Sequence, residues 1–270
     1  MVNQTTRPWR PTPLIVASIA IHAGALAYLL AAPSNWPLAV AAIVVDQIIL
    51  TSAGLWPRST MLGPNWRSLP PQAVSRNEVA ITIDDGPDPV ITPQVLNILD
   101  QYHAKATFFC IGDRALKYRE ICQEIVRRGH ALENHSQGHL HRFAMLGLGG
   151  IEREIRSAQE TIFDITGQPP IFFRPPAGLR NPLLEPVLAR HNLQLVSWTR
   201  RGFDTRESCS IKVTNRLLQG IEAGDILLLH DGNAARTASG DPIILQVLPR
   251  LLEAIADSKL HPVTLRDALS

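Results

Sequence analysis

Two long apolar stretches open the chain. The first, residues 13–32, contains no Asp, Glu, Lys or Arg, and about 20 such residues span a bilayer core as a helix. The second, residues 36–56, has a similar length but carries Asp46 and Gln47 near its middle. The pattern predicts a transmembrane helical hairpin, residues 1–57, that turns at the segment APSNWP.

Asp46 is the weak point of this interpretation. An Asp in the middle of a membrane helix costs about 3 kcal/mol on insertion scales, a cost best offset if Asp46 faces the first helix. The alternative is a pair of apolar helices packed on a soluble domain. A cleaved signal peptide is not favoured, because the apolar run is longer than a usual signal core and no clear small-residue cleavage site follows it.

The remainder of the chain has the pattern of alternating strands and helices. Residues 58–77 are rich in Pro, Ser and Asn and are interpreted as a linker. Apolar, strand-like runs then recur as EVAITI, ATFFCIG, HALEN, IFFR, LQLVSW, DILLLH and HPVTL, and stretches with helical period separate most of them. This pattern predicts an α/β fold for residues 78–267, a distorted (β/α) barrel of about seven parallel strands.

Composition narrows the possible partners and compartment. The 26 basic and 24 acidic residues give a formal net charge of +2 without a long basic run, so no nucleic-acid partner is expected. The three cysteines are odd in number and lack a Cys-x-x-Cys pair, which is typical of buried thiols in a reducing compartment. No Gly-x-Gly-x-x-Gly follows the first strand, so the pattern does not favour a dinucleotide fold.

Chemically active side chains stand where the predicted strands end, which is where parallel α/β barrels carry their functional residues. Asp84 and Asp85 end the first strand; because adjacent residues of a strand point to opposite sides, they need not share one environment.

His135 and His139, four apart, would share one side of a helical turn and, with one carboxylate, complete a two-His, one-carboxylate metal site. Such a set also suits a non-haem iron oxygenase. The position after His135 is Ser136, which excludes the His-Glu-x-x-His protease pattern.

Several short motifs follow one another in a specific order: TIDDGP, HSQGH, RPPAG and LLLHD. With them the segment Glu78 to Leu265 resembles the polysaccharide deacetylases with a NodB homology domain, carbohydrate esterase family 4. The resemblance implies that Asp85, His135 and His139 hold a divalent metal. Zn²⁺ is the expected ion, with Co²⁺, Ni²⁺ or Fe²⁺ as alternatives.

The resemblance also implies the roles of the other site residues. Asp84 would act as the general base toward the attacking water, and His230 as the general acid for the amine leaving group. Arg174 would orient Asp84, and Asp204 would hold His230 in its working tautomer. The backbone N–H of Ala177 would stabilise the oxyanion, and Leu228, in the LLLHD motif, is expected at the same substrate and oxyanion position.

Three departures from the family pattern concern the substrate groove. Ala177 stands where the family often has Tyr, and Thr205 follows Asp204 where the family often has Trp. The segment WTRRGFDT supplies Arg200 and Arg201 instead, which are either solvated surface or partners of an anionic group such as a phosphate.

The expected function is removal of an N-acyl group, in particular acetyl, from an amino sugar in a glycan or a lipid-linked saccharide. The alternatives are the oxygenase and an inactive saccharide-binding module. Arginines flank both ends of the hairpin at Arg7, Arg10, Arg58 and Arg67, and its turn has no charge. The positive-inside tendency therefore predicts a protein of the inner membrane whose catalytic domain faces the cytoplasm.

Overall fold

The computed structural model describes residues 7–270. Two helices begin it, α1 (Pro13–Ala31) and α2 (Trp36–Leu55), joined by a short 3₁₀ turn at Pro33–Asn35. Thr12 caps α1, since its side chain accepts the backbone N–H of Ile15 at 3.3 Å. Both helices are long and apolar enough to cross a membrane by length and composition alone.

The two helices form an antiparallel pair with a polar contact inside it. Asp46 is 2% exposed, and its Oδ2 accepts a hydrogen bond from the Ser18 hydroxyl at 2.7 Å. Asp46 therefore faces α1, the arrangement that reduces the cost of this carboxylate in an apolar setting. Large apolar side chains such as Leu26 and Ile48 remain exposed on the outside of the pair.

The remaining elements form an α/β unit around one curled parallel sheet. Its main path has the order β5-β4-β3-β2-β1-β7-β6, and β8 pairs with the beginning of β1. The strands are β1 (Glu78–Gly86), β2 (Ala106–Cys110), β3 (Ala131–Asn134), β4 (Phe172–Phe173), β5 (Gln194–Leu195), β6 (Arg200–Arg201), β7 (Ile226–His230) and β8 (His261–Val263). The helices are α3 (Pro71–Ser75), α4 (Ile91–Gln101), α5 (Gly112–Lys117), α6 (Arg119–Arg127), α7 (Leu148–Thr166), α8 (Leu184–Arg190), α9 (Ser210–Leu218) and α10 (Ile243–Asp257). The predicted fold class is confirmed.

Side chains along β1 alternate between the outer face of the sheet, which the helices cover, and the inner face of its curl. Ile81 and Ile83 are completely buried beneath the outer helices, among them α4 and α10, and each such burial is worth about 1.5–3 kcal/mol. Ala80 packs on the inner side with Phe109 and Leu228. Residues of the inner series at the carboxyl end of β1 therefore point into the curl of the sheet.

Two local features differ from the expectation. The predicted fifth strand, LQLVSW, is regular only at Gln194–Leu195, and the chain forms a separate strand, β6, at Arg200–Arg201. Two arginines have no apolar pattern that would reveal a strand in the sequence. They form β6 because they pair with β7, which is a feature of the tertiary structure.

The segment predicted as a linker is folded onto the α/β unit. Trp66 forms a parallel bridge with Val196, and Leu62 and Leu69 are buried. The end of α2 also contacts this unit, where the backbone N–H of Arg180 donates to the carbonyl of Gly54 at 3.2 Å. The hairpin and the parallel sheet are therefore joined by a short, well-packed connection.

Candidate active site

Asp84 and Asp85 face the same cavity, although their adjacency on a strand favours opposite sides. Asp84 continues the inner series of Ala80 and Thr82. The register between β1 and β2 shifts between Asp84 and Gly86, and Asp85 has a φ of 73°. A bulge of this kind re-aims a side chain, so Asp85 turns back into the site. The sequence-based expectation of two separate directions is corrected by this bulge.

His135 and His139 converge with Asp85 but not on a helical turn. His135 follows β3 directly, and the loop after it has positive φ at Ser136 (64°) and His139 (49°). The loop brings both Nε2 atoms to Asp85 Oδ1, at 3.2 Å from His135 and 3.1 Å from His139. The three expected ligands therefore meet at one place, but the two histidines do so through a loop and not on the helical turn that their spacing predicted.

These three residues fit a divalent cation. Their candidate ligand atoms all lie within 4.8 Å of one another. His135 Nδ1–H donates to the carbonyl of Arg174 at 2.7 Å, which leaves Nε2 free to ligate, and Asp85 Oδ2 accepts a hydrogen bond from Asn233 at 2.9 Å. Outer contacts of this kind orient metal ligands. Two imidazoles and one carboxylate suit zinc and the neighbouring first-row metals.

Arg174 and Asp84 form a completely enclosed ion pair beside the ligand set. Arg174 is 0% exposed; its Nη1 donates to Asp84 Oδ1 at 2.6 Å and to the Thr82 hydroxyl at 2.9 Å. Its Nη2 also donates to the Ser197 carbonyl, at 2.8 Å, and the guanidinium lies 4.2 Å from the Phe109 ring centre. The other donors of Arg174 fix the guanidinium in place, so that it holds Asp84 through Nη1 and balances its charge.

His230 and Asp204 form a second buried pair on the other side of the cavity. Asp204 Oδ1 lies 2.9 Å from His230 Nδ1, and Asp204 Oδ2 accepts the backbone N–H of His230 at 2.7 Å. The carboxylate thus fixes both the ring and the strand end that carries it. With Nδ1–H bound to Asp204, Nε2 is the nitrogen left to act on a substrate.

The RPPAG loop places Ala177 at the wall of the cavity. Ala177 has a φ of 56° and ψ of 8°, a left-handed conformation, and it lines the cavity together with Leu228 of β7. Gly178 follows with a φ of 74°, and a Cβ there would lie 2.7 Å from Trp198 and 2.9 Å from Pro57. Only glycine fits at this close approach.

One cavity of about 220 Å³ unites these groups. Its lining consists of Asp84, Asp85, His135, His139, Ala177, Gly178, Trp198, Arg201, Thr205, Arg206, Leu228, His230 and Asn233. Every residue expected at the metal and at the substrate is in this set. Arg174 and Asp204 lie behind it, in contact with Asp84 and His230.

The charges of the buried side chains favour a cation beside Asp85. Burial would raise the pKa of Asp85, but hydrogen bonds from His135 and His139 outweigh it and lower that pKa well below its usual range. Burial also lowers the pKa of His135, and the charges of Asp84 and Asp85 overcome this and raise it. Because Arg174 already balances Asp84, the charge of Asp85 is available to a metal ion.

Sequence reasoning missed some contacts at the site. Asn233 donates to Asp85 Oδ2, and Arg114 Nη1 donates to the Asp85 carbonyl at 2.9 Å; neither residue belongs to a motif that would reveal it.

Arg201 lines the cavity and lies 5.3 Å from the Trp198 ring centre. Arg200 instead pairs with Asp225 at 2.6 Å and donates to backbone carbonyls of Gln219 and Gly220. Of the two alternatives left open for Arg200, the structure shows a variant of the second: its anionic partner is Asp225 of the same fold.

Comparison with known proteins identifies the class of this fold and site. A family model described as polysaccharide deacetylase matches residues 72–196. A peptidoglycan-N-acetylglucosamine deacetylase of Bacillus cereus is 34% identical over 182 residues, which are 66% of this chain and 84% of that protein. A chitooligosaccharide deacetylase of Azorhizobium caulinodans is 35% identical over 159 residues, 58% of this chain and 75% of that protein.

A solved structure agrees with these relatives. The crystal structure of a peptidoglycan N-acetylglucosamine deacetylase in complex with a hydroxamate-type benzamide superposes with a TM-score of 0.68 at 26% identity, covering 76% of this chain and 92% of that one. The chain belongs to the polysaccharide deacetylase family, carbohydrate esterase family 4. It is accordingly an amidohydrolase of the class that acts on carbon–nitrogen bonds other than peptide bonds.

Proposed function

We propose that this protein is a membrane-anchored, zinc-dependent deacetylase that removes the acetyl group of an N-acetylated amino sugar. The observation that carries the proposal is the single cavity in which Asp84, Asp85, His135, His139 and His230 meet. These are the base, the ligands and the acid that amide hydrolysis requires. The related peptidoglycan and chitooligosaccharide deacetylases support the choice of substrate class.

The geometry of the cavity supports a role for each of these residues. A divalent cation at Asp85, His135 and His139 would supply Lewis acidity, polarising the acyl carbonyl and making water easier to deprotonate. Asp84, held by Arg174 at 2.6 Å, accepts the proton of the attacking water as the water oxygen bonds to the acyl carbon. The Ala177 N–H faces the negative charge that develops on the carbonyl oxygen.

The leaving group needs a proton because an amine anion cannot depart at neutral pH. His230 donates this proton from Nε2 to the sugar nitrogen as the carbon–nitrogen bond breaks, and the products are acetate and the free amino sugar. Burial lowers the pKa of His230, but Asp204, through its charge and its hydrogen bond, and then Asp84 and Asp85 raise that pKa to about 9. The imidazole is therefore protonated at neutral pH, as a general acid must be.

The membrane anchor is supported by the helical pair α1–α2. Only 11% of the most apolar window of α1 and 28% of that around α2 is buried within the protein, which supports a position in the membrane over one in the core of a soluble domain. Asp46 is shielded by Ser18 between the helices. Arg7, Arg58 and the other flanking arginines favour a cytoplasmic catalytic domain by the positive-inside tendency.

An acetyl-release experiment tests this function. The full chain, purified in detergent and loaded with zinc, is incubated with an N-acetylated chitooligosaccharide, and products are followed by mass spectrometry. Loss of acetyl mass with matching free amine is expected, and removal of the metal by a chelator should stop it. The oxygenase alternative predicts instead a product that depends on dioxygen, and a saccharide-binding module predicts retention of the intact sugar.

A further inference from the structure

A second cavity lies against the active site at the end of α2. It has a volume of about 410 Å³ and is lined by Trp56, Arg58, Arg67, Ser68, Trp198 and Thr199. Trp198 also lines the catalytic cavity, so one indole side chain forms a wall of both spaces. The catalytic reaction described above uses none of the residues of this second cavity.

The two arginines of this cavity have no carboxylate partner among the described residues 7–270. Within residues 7–270 neither Arg58 nor Arg67 forms an ion pair, and the hydrogen bond of Arg58 goes to the carbonyl of Thr199 at 3.4 Å. Arg76 and Arg200, by contrast, are paired with carboxylates at 2.6 Å. Two guanidinium groups that share one cavity without an anion form a site of positive potential, and arginine binds phosphate in a bidentate manner.

The backbone that carries these arginines is rigidly held. Asn65 Nδ2 donates to the carbonyls of Pro57 at 2.9 Å and Ser59 at 3.0 Å, which ties the two ends of the segment together. Trp66, the neighbour of Arg67, is bridged to Val196 at the edge of the sheet. The fold thus fixes the backbone on both sides of the cavity, and the two arginine side chains extend from it to the surface.

The cavity lies where the apolar hairpin meets the catalytic unit. Trp56 directly follows α2 and is 55% exposed, and Trp and Arg are residues that settle at a membrane–water interface. Pro57 packs against Gly178 of the oxyanion loop. A substrate whose lipid remains in the bilayer would pass this cavity before its sugar reached the site.

From this placement we infer that the Arg58–Arg67 cavity binds the phosphate group of a lipid-carried amino-sugar substrate. The inference rests on the proposed deacetylase function and names the substrate class of that same site. Ser68 adds a hydroxyl donor beside the two guanidinium groups, and Trp198 separates the phosphate from the acylated sugar. Arg201, stacked on Trp198 from the catalytic cavity, provides a further cation on the sugar side.

The test compares three substrates in one detergent: a prenyl-phosphate-linked N-acetylglucosamine, the soluble N-acetylglucosamine 1-phosphate, and an uncharged chitooligosaccharide. The double variant Arg58→Gln, Arg67→Gln should lose at least tenfold more kcat/KM on the two phosphorylated substrates than on the uncharged one, mainly through KM. The loss should shrink at high salt. The matched control is Arg119→Gln, Arg153→Gln, which changes two exposed arginines on α6 and α7 and should treat all three substrates as the wild type does.

The arms of the test separate the possible outcomes. An equal loss on charged and uncharged substrates would overturn the inference, as would no loss on any of them. Weaker binding to vesicles of anionic lipid with unchanged kcat/KM on the phosphorylated substrates would also overturn it, because the arginines would then serve only as a headgroup anchor. If the zinc-loaded wild type deacetylates none of the three, the proposed function itself fails; if it deacetylates only the chitooligosaccharide, this inference alone fails.

Discussion

The substitution Asp204→Asn tests how the protein prepares His230 as a proton donor. Asp204 holds both the ring and the backbone of His230, at 2.9 Å and 2.7 Å. Asparagine has nearly the same shape and can still accept a hydrogen bond, but it carries no charge. Because the single amide oxygen of Asn can accept only one of the two N–H groups that Asp204 accepts, the change removes the charge and one of the two hydrogen bonds to His230.

The size of the effect follows from the pKa of His230. Burial lowers this pKa, whereas the charge and hydrogen bond of Asp204 lead the contributions that raise it from 6.5 to about 9. The net shift corresponds to roughly 3 kcal/mol in favour of the protonated ring. Because the folded pKa is raised, this stability is fully present below pH 6.5 and is lost as the pH rises towards 9.

Two measurements on Asp204→Asn follow from this argument. The basic limb of kcat/KM against pH should move to lower pH by at least about one unit, equivalent to 1.4 kcal/mol. The free energy of unfolding should fall most at pH 6, and the deficit should diminish towards pH 9. Denaturant unfolding of the full chain at several pH values and steady-state deacetylation of a chitooligosaccharide provide the two readouts.

Asp225→Asn is the matched control. Asp225 is also a buried carboxylate near β7, but it pairs with Arg200 at the opposite end of the strand. Its substitution should cost stability without moving the basic limb of the pH profile. If Asp204→Asn kept a folded, metal-loaded enzyme whose basic limb coincided with that of the wild type, Asp204 would not set the pKa of the catalytic acid and the assignment would have to be abandoned.

Three further predictions concern the ligands, the base and a histidine distant from the site. Replacing His135 or His139 by Ala should remove most of the bound metal and the activity together, and full metal content by elemental mass spectrometry in both variants would reject the ligand set. Asp84→Asn should keep the metal and lose kcat by about 10²-fold or more; loss of metal in this variant but not in Asp85→Asn would exchange the two roles. Burial, followed by the charge of Lys105, lowers the pKa of His130 to about 4, so stability should fall by up to about 3 kcal/mol as the pH drops from 6.5 to 4. His130→Gln should flatten this part of the stability curve, and an unchanged slope would show that other groups cause it.

The sequence predicted the architecture well because its signals there are regular and local. Apolar strand runs such as ILLLH and amphipathic helices such as α6 report burial on one side, and the protein uses that burial as the pattern implies. The residues that meet in the cavity were also identified, since several motifs stand at consecutive strand ends. Position along a parallel sheet was thus sufficient to place these motifs at one edge of the sheet.

What the sequence did not predict depends on tertiary context. Asp85 reaches the site through a bulge, and His139 through a loop with positive φ, whereas regular periodicity describes only ideal strands and helices. Asn233 contacts Asp85 across 148 positions of the chain, and no local pattern records such a contact. The folded connection at Trp66 was missed because its composition resembles that of an open linker.

The orientation of the hairpin is the last prediction, and the structure gives it a geometric basis. Arg7, before α1, pairs with Glu185 of the catalytic unit at 2.6 Å, and Thr12 donates to the carbonyl of Met61, beyond α2, at 2.6 Å. Both outer ends of the hairpin therefore lie on the side of the catalytic unit. If both helices span, the flanking arginines and the enzyme share one face of the membrane, and the positive-inside tendency makes that face cytoplasmic.

Topology reporters fused after Ser75 and after Ser270 measure this orientation. At both sites, a fusion to green fluorescent protein is expected to fluoresce and a fusion to alkaline phosphatase to have little activity. The mass of the purified chain should include α1, since a signal sequence would be removed. Replacing Arg7 and Arg10 by Asn should weaken the preference for this orientation, whereas the same change at the distant Arg119 and Arg153 should not. Strong phosphatase activity at both sites, together with green fluorescent protein fusions that do not fluoresce, would place the enzyme outside the cytoplasm. The amino sugars available to it would then be those of the outer leaflet and the cell wall.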